Sequence, residues 1–310
     1  MNKIKTAIVG CGGIALNAHL PAIQSLENVE IVAICDSNPA KLDPFEEKIG
    51  YRVEKFTDYK DLLAKIKPDA VHVCTPNYVH SEIASAALLA GADVLCEKPD
   101  AMTAVQVEEM KAARDRSGKT LLVMRNNRFL DASDVVRSLI KEGKTGELYT
   151  GRCGWIRRRG IPGAGGWFTT KAQSGGGVLI DWGVHFLDLI LYILGGAKLK
   201  TVTCDTYGEM AKDMSEYRYL GMWAEDTKDL NGTNDVEDFV SGYIRTDKAS
   251  ISFNGAWAQN IGEDEMFIDF LGDKGGARLT YGGMFKYYTT GEEGELQTVE
   301  YHYNIPNQME

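Results

Sequence analysis

A carboxylate and an imidazole one helical turn apart are the first residues of this 310-residue chain suited to moving a proton. Asp181 and His185 lie in Gly175-Gly176-Gly177-Val178-Leu179-Ile180-Asp181-Trp182-Gly183-Val184-His185, and Asp188 follows three residues later. On a helix Asp181 and His185 share a face, with Asp188 close to it. The run is otherwise apolar to Leu194, and burying such groups there is costly unless they are used or paired. The pair suits general acid–base catalysis. The alternative is a capped core helix, with Asp181 favoured by the dipole and His185 a satisfied core histidine. The three glycines carry no Cβ, so their loop can approach a ligand closely. Lys98 is the other chemical candidate. It stands between an apolar strand, Asp93 to Cys96, and Pro99, which suits a cis turn that fixes the lysine. Its alternative is a solvated surface charge.

The elements that must position these groups alternate from the first residues onward. Lys5 to Val9 is a short apolar strand, broken by Gly10-Cys11-Gly12-Gly13-Ile14-Ala15 and followed by a helical pattern through His19, Ile23 and Leu26. A second strand, Glu30 to Cys35, ends at Asp36. Strand, glycine turn, helix, strand and acid match the dinucleotide-binding fingerprint, with Ala15 in its third small position. Gly10 permits the turn, Gly12 lets the backbone approach a pyrophosphate on the helix N-terminus, and Asp36 suits a ribose 2′-hydroxyl. The Asp36 charge favours NAD over NADP. Further βα units run to strand Thr120 to Met124 and predict a doubly wound parallel sheet. Ligands bind at the carboxyl ends of such strands. Thr75-Pro76-Asn77, Glu97-Lys98-Pro99 and Arg125-Asn126-Asn127-Arg128 all fall there, and His80 opens the following helix.

Composition bounds the function. The chain is 44% hydrophobic and 25% charged, ordinary for a globular protein, and its length suits two domains. A net charge of -10 argues against nucleic acid or an anionic membrane as partner. The six cysteines are scattered, without zinc spacing, and read as buried free thiols; no metal is expected. No signal peptide precedes the first strand, and the apolar run Phe186 to Leu194 is too short to span a bilayer. A cytoplasmic location is expected.

Beyond Met124, an amphipathic helix covers Ala132 to Lys141 and a strand Leu148 to Trp155. The loop Arg157 to Phe168 combines arginines, glycines and two aromatics. Arg157, Arg158, Trp167 and Phe168 are therefore expected to line a substrate pocket, the alternative being a solvated hinge. After strand-like Leu199 to Met210, the acidic excursion Ala211 to Asn234 reads as a lid or an oligomer arm. From Val236 to Tyr301 the pattern is a meander of strands.

Together, Gly10-Cys11-Gly12-Gly13-Ile14-Ala15, Thr75-Pro76-Asn77-Tyr78-Val79-His80, Glu97-Lys98-Pro99, Asn127-Arg128-Phe129 and Asp181-Trp182-Gly183-Val184-His185 resemble the Gfo/Idh/MocA oxidoreductases. That family includes glucose–fructose oxidoreductase and inositol dehydrogenases. The resemblance implies that Lys98, Asp181 and His185 form the catalytic set. The strand count puts a domain boundary near Met124, and the resemblance agrees, implying an N-terminal Rossmann domain, residues 1–124, and a substrate-binding and oligomerisation domain, residues 125–310, on a large, mostly antiparallel sheet. Fingerprint, strand ends and resemblance together nominate Gly10, Gly12, Gly13, Ile14, Asp36, Thr75, Pro76, Asn77, His80, Glu97, Lys98 and Arg128 for binding NAD. The expected activity is hydride transfer between NAD and a secondary alcohol of a sugar or polyol, in a homodimer or homotetramer. The alternatives are an NAD-dependent glycoside hydrolase and a non-catalytic dinucleotide sensor. Family members usually continue past this chain's end. Asn307 to Glu310 reads as the start of a further helix, so a missing C-terminal segment is expected.

Overall fold

The computed structural model describes residues 3–210, 212–214, 217, 229, 231–280 and 284–302. Tyr219, Trp223 and most of the 211–234 excursion lie outside the described residues, as do residues 307–310. Two compact units form, one through Met124 together with Ala172–Gly175, the other Arg125–Lys171 and from Gly176 onward.

In the first unit, β1 (Ile4–Val9), β2 (Val29–Cys35), β3 (Glu54–Phe56), β4 (Ala70–Val73), β5 (Asp93–Cys96) and β6 (Leu121–Val123) form one sheet, ordered β3-β2-β1-β4-β5-β6. Every neighbouring pair is parallel. This is the doubly wound order, and it reverses direction between β1 and β4. Side chains of β1 alternate between two cores: Ala7 and Val9 face one, Ile8 the other. Burial on both faces explains why these strands read as continuous apolar runs. The helices are α1 (Leu20–Gln24), α2 (Leu42–Ile49), α3 (Tyr59–Ile66), α4 (His80–Leu89) and α5 (Ala104–Ser117). Their ends follow local chemistry. The Asp58 carboxylate accepts the Lys60 N–H at the start of α3, and Thr103 and Gln106 form a capping box on α5. Ahead of α1, Ala15–His19 is a π-helical turn that the sequence pattern did not reveal.

The second unit contains α6 (Asp131–Lys141), β7 (Leu148–Ile156), the first residue of the short α7 (Lys171–Ser174), whose remainder belongs to the first unit, a π-helical turn Leu179–Gly183, and α8 (Val184–Ile193). Seven strands follow: β8 (Leu199–Tyr207), β9 (Phe239–Thr246), β10 (Ser250–Ala256), β11 (Glu265–Gly272), β12 (Gly276–Thr280), β13 (Met284–Thr290) and β14 (Leu296–His302). The sheet order is β14-β13-β12-β11-β7-β10-β9-β8. It is mostly antiparallel, but not the simple meander expected. β7 inserts between β10 and β11 and runs parallel to β10. Strand alternation reports which residues face the core, not which strand arrives as neighbour. Val136 of α6 and Phe186, Leu189 and Ile190 of α8 pack on Cys153, Ile251, Phe253, Ile268 and Phe270 of the sheet. Full burial of each such large apolar side chain contributes roughly 1.5–3 kcal/mol.

Helical residues from Lys171 to Ile193 have the length and apolar composition of a membrane span, longer than the nine-residue run suggested. The stretch is interrupted at 175–177, and Trp182, Phe186, Leu189, Ile190 and Ile193 are buried in the core. It packs as a core element. Two of the three glycines are required by the fold: a Cβ at Gly177 would stand 1.8 Å from the Glu237 carbonyl oxygen, and Gly175 has φ +85°. The close approach is to the chain itself.

At Gly255 on β10 a Cβ would fall 1.5 Å from the Trp182 ring, whereas at Gly262 it would meet nothing within 4 Å. Gly255→Ala should therefore destabilise the protein by about 1–3 kcal/mol through overpacking, while Gly262→Ala should stay within about 0.5 kcal/mol of the parent. Denaturant unfolding followed by tryptophan fluorescence measures both.

Candidate active site

Where β1 ends, Gly10 has φ +96°, and a Cβ there would lie 2.4 Å from the Cys74 carbonyl oxygen. Only glycine fits. Gly12 and Gly13 differ. A Cβ at Gly12 would meet nothing within 4 Å, and one at Gly13 only Asn17 Nδ2 at 4.0 Å. The fold does not demand glycine at these two positions. What they leave open is space at the helix N-terminus, where N–H groups and the dipole favour an anion. Ile14 packs half-buried beneath the turn, beside fully buried Ala15.

Asp36 follows β2. Its Oδ2 accepts the Cys11 N–H at 2.9 Å, and its Oδ1 accepts the Asn38 N–H at 2.9 Å. Lys41 Nζ stands 3.8 Å away. The acid is thus anchored to the glycine turn, and a carboxylate's remaining lone pairs suit a ribose diol. Beyond β4, Thr75 Oγ1 is buried with no hydrogen-bond partner among the described residues. Such an orphan is what a bound ligand satisfies. Pro76 is half-buried beside it, and the Asn77 amide donates to the Ser174 carbonyl at 2.8 Å. The open glycines, the anchored acid and the orphan hydroxyl fit a dinucleotide along this edge.

His80 and Glu97 face inward instead. His80 is fully buried, its ring nitrogens each 2.8 Å from a carbonyl oxygen, Pro99 and Thr75. Burial pushes its pKa down, opposed by those two carbonyls. The ring braces the ends of β4 and β5 and has no nitrogen left for a cofactor. Glu97 is 7% exposed and pairs with His19, Oε1 to Nε2, at 2.8 Å. His19 in turn lies 2.8 Å from His72, Nδ1 to Nδ1. Neither histidine belongs to a motif, and sequence spacing of 53 residues between them carries no signal. Lys98 is half-buried before a cis proline, and its backbone N–H donates to Glu97 Oε2 at 3.2 Å.

In the second unit, Asp181 is in the first turn of the π-helical segment, half-buried like His185. The Trp257 indole N–H donates to Asp181 Oδ2 at 2.9 Å. Trp257 is 1% exposed, so the hydrogen bond orients the carboxylate from a rigid support. It was not legible as a site residue, because an apolar strand end gives no reason to aim an indole at Asp181. Asp188 is occupied elsewhere. Arg128 Nε donates to its Oδ2 at 2.7 Å, a second guanidinium N–H reaches Oδ1, and the guanidinium lies 4.7 Å over the Tyr192 ring. Arg128, nominated for the cofactor, is held on α8 by a bidentate pair.

The arginine loop is also largely committed to its own surroundings. The Arg157 guanidinium lies 4.2 Å over the Trp155 ring. The Arg158 N–H donates to Asp264 at 2.7 Å and its side chain to the Gly262 carbonyl at 3.3 Å. Arg159 bonds the Gln259 carbonyl and the Asn260 side chain. Arg158 and Arg159 thus brace the β10–β11 loop, while Arg157 lies on Trp155. Trp167 and Phe168 stack with ring centroids 3.8 Å apart, half-buried, and present an aromatic surface.

Two measurements follow from this geometry. Gly12→Ala should keep the parent melting temperature yet weaken NAD binding at least tenfold, read by fluorescence titration. Burial pushes His72 down to about 4 from 6.5, with His19 adding to the drop and Glu97 opposing it. Between pH 4 and 6.5 the unfolded chain then binds more protons, so stability must rise with pH across that window, by up to about 3 kcal/mol. His72→Gln should flatten the rise in denaturation series at fixed pH.

Comparison with known proteins agrees with this arrangement. The model of the oxidoreductase family GFO/IDH/MocA, NAD-binding Rossmann fold, matches residues 4–125, and that of the GFO/IDH/MocA C-terminal domain matches residues 134–278. The chain is 35% identical over 300 residues to D-glucoside 3-dehydrogenase of Escherichia coli, covering 96% of this chain and 82% of that protein. It is 33% identical to a putative UDP-kanosamine synthase oxidoreductase subunit of Amycolatopsis mediterranei, covering 90% and 76%. The WlbA dehydrogenase of Bordetella pertussis, solved with NADH and UDP-GlcNAcA, superposes with a TM-score of 0.74 at 26% identity over 89% of this chain and 73% of that one. With both halves matched and the dinucleotide edge intact, the chain belongs to the Gfo/Idh/MocA family of NAD-binding oxidoreductases.

Proposed function

We propose that the protein is an NAD-dependent dehydrogenase that oxidises a secondary ring hydroxyl of a glucoside or related sugar. The observation that carries the reading is the line of Gly12, Thr75 and Lys98 along the carboxyl ends of β1, β4 and β5, which are adjacent strands. An open glycine turn, an orphan hydroxyl and a fixed lysine suit a dinucleotide with a reacting oxygen at one end. The similarity to D-glucoside 3-dehydrogenase over almost the whole chain supports a pyranoside as substrate.

Gly12, Gly13, Asp36 and Thr75 would hold NAD, which when bound supplies the hydride acceptor. His185 takes the hydroxyl proton as general base. The Lys98 ammonium donates to the reacting oxygen and stabilises its developing negative charge. Asp181, aimed by the Trp257 indole, orients His185 or the substrate. The stacked pair Trp167 and Phe168 offers a flat apolar surface of the kind that a sugar face covers. Residues 1–124 serve the cofactor, and the rest of the chain serves substrate binding and self-association. The outer surface of the eight-stranded sheet suits a homodimer or homotetramer, since Tyr207 and Tyr243 are about half exposed there. Five of the six cysteines are buried free thiols, which fits a reducing cytoplasm.

The test is NADH absorbance with a panel of glucosides, inositols, aldoses and sugar acids. The parent should form NADH, and Lys98→Ala should lose at least a hundredfold in kcat while its NAD affinity changes less than threefold. Equal kcat in the two proteins removes Lys98 from the reaction. Cleavage of a chromogenic glycoside without NADH would instead indicate transient oxidation during hydrolysis.

A further inference from the structure

Three titratable groups that the proposed reaction does not use stand in one line within the first unit. His19 closes the π-helical turn Ala15–His19 and is 3% exposed. Its Nδ1 is 2.8 Å from His72 Nδ1 on β4, and its Nε2 is 2.8 Å from Glu97 Oε1 at the end of β5. The other Glu97 oxygen accepts the backbone N–H of Lys98. One carboxylate thus grips both the helix that follows the glycine turn and the turn that carries Lys98.

The protons of this line can be counted. Burial pushes the Glu97 carboxyl up, but the His19 hydrogen bond and charge, the Lys98 charge and the Lys98 N–H together hold it below the usual carboxylate range. Glu97 is therefore an acceptor at both oxygens, and His19 Nε2 carries a proton. His72, with its pKa near 4, is neutral at ordinary pH. One proton then lies between the two Nδ1 atoms, donated by either ring, and the Glu97–His19 bond persists in both cases. Around the line, Lys98 is the nearby cation. The Cys74 thiol facing Glu97 is pushed up by burial and stays neutral. A buried ionic contact is weak evidence of stability, since apolar replacements often serve as well. Direction is what it adds, because it fixes which way each oxygen of Glu97 points.

We propose that Glu97 is a positioning residue for Lys98, and that His19 holds it in register with the helix of the glycine turn. The buried line His72–His19–Glu97 thereby couples the nucleotide-binding turn to the Lys98 turn. This rests on the reading of Lys98 as the oxygen-stabilising group, although the coupling itself is readable without catalysis.

The first readout is amide hydrogen exchange of Lys98 in the ligand-free protein. His19→Leu should speed it at least tenfold, while His19→Gln, which keeps a donor near the position of Nε2, should leave it within threefold of the parent. The second is steady-state kinetics. His19→Leu should lower kcat ten- to a hundredfold with the sugar KM within threefold, His19→Gln should recover most of that loss, and His19→Leu should add nothing in a Lys98→Ala background. Unchanged Lys98 exchange in His19→Leu overturns the proposal, as does equal impairment of the Leu and Gln variants. If His19→Leu does not fold, Glu97→Gln carries the exchange test, and parent-like protection in it overturns the role of the carboxylate. Loss of kcat in Lys98→Ala alone, with His19→Leu unaffected, defeats the coupling and keeps the dehydrogenase reading. Activity retained in Lys98→Ala defeats that reading, while the exchange result still decides the coupling.

Discussion

The Cys74 carbonyl occupies the place that a side chain at residue 10 would need. That contact seats the turn after β1 directly against the end of β4, at the point where the strand order reverses. Parallel strands on either side hold the two backbones at one spacing, so the turn cannot swell to admit a Cβ. Asp36 then reaches back to the Cys11 N–H, and the helix starts at Gly13, which is exposed. The turn is thus closed at Gly10 by the Cys74 carbonyl and open at Gly12, where a Cβ would meet nothing within 4 Å.

The second unit uses the same device with different atoms. Gly255 leaves room for the Trp182 ring, and Trp155, Trp182 and Phe186 form a cluster with ring centroids 5.2 to 6.2 Å apart. This cluster, together with the Glu237 backbone pressed on Gly177, sets the rotation of the helix that presents Asp181 and His185. Trp257 adds a polar contact that aims Asp181. Arg128 and Arg125 both pair with Asp188 one turn further on, so the third ionisable group of that face is spent on tying Asn126–Phe129 to α8.

The two units also differ in how their polar groups are satisfied. In the first, inward-facing His80, His19 and Glu97 find backbone carbonyls or one another. In the second, Asp269 is 1% exposed yet lies between Arg152 and Arg278, both bonded to its carboxylate. Buried charge is tolerated in each place because every oxygen has a donor.

Sequence alone determined the parts that depend on short-range pattern. Continuous apolar runs separated by helical periods led to a parallel, doubly wound sheet, because only strands covered on both faces lack alternation. The glycine turn, Asp36, the Lys98 turn and the Asp181–His185 face were legible because each rests on residues within a few positions of one another. Tertiary structure decided what depends on distant partners. It inserted β7 beside β10, turned Glu97 inward, paired Arg128 with Asp188, and committed Arg158 to the loop near Gly262. It also brought His19, His72 and Trp257 to the two candidate sites. A motif records which side chain is present at a strand end, whereas the direction in which Glu97, Arg128 or Arg158 points is set by neighbours 60 to 104 residues away, whose positions exist only once the sheets have formed.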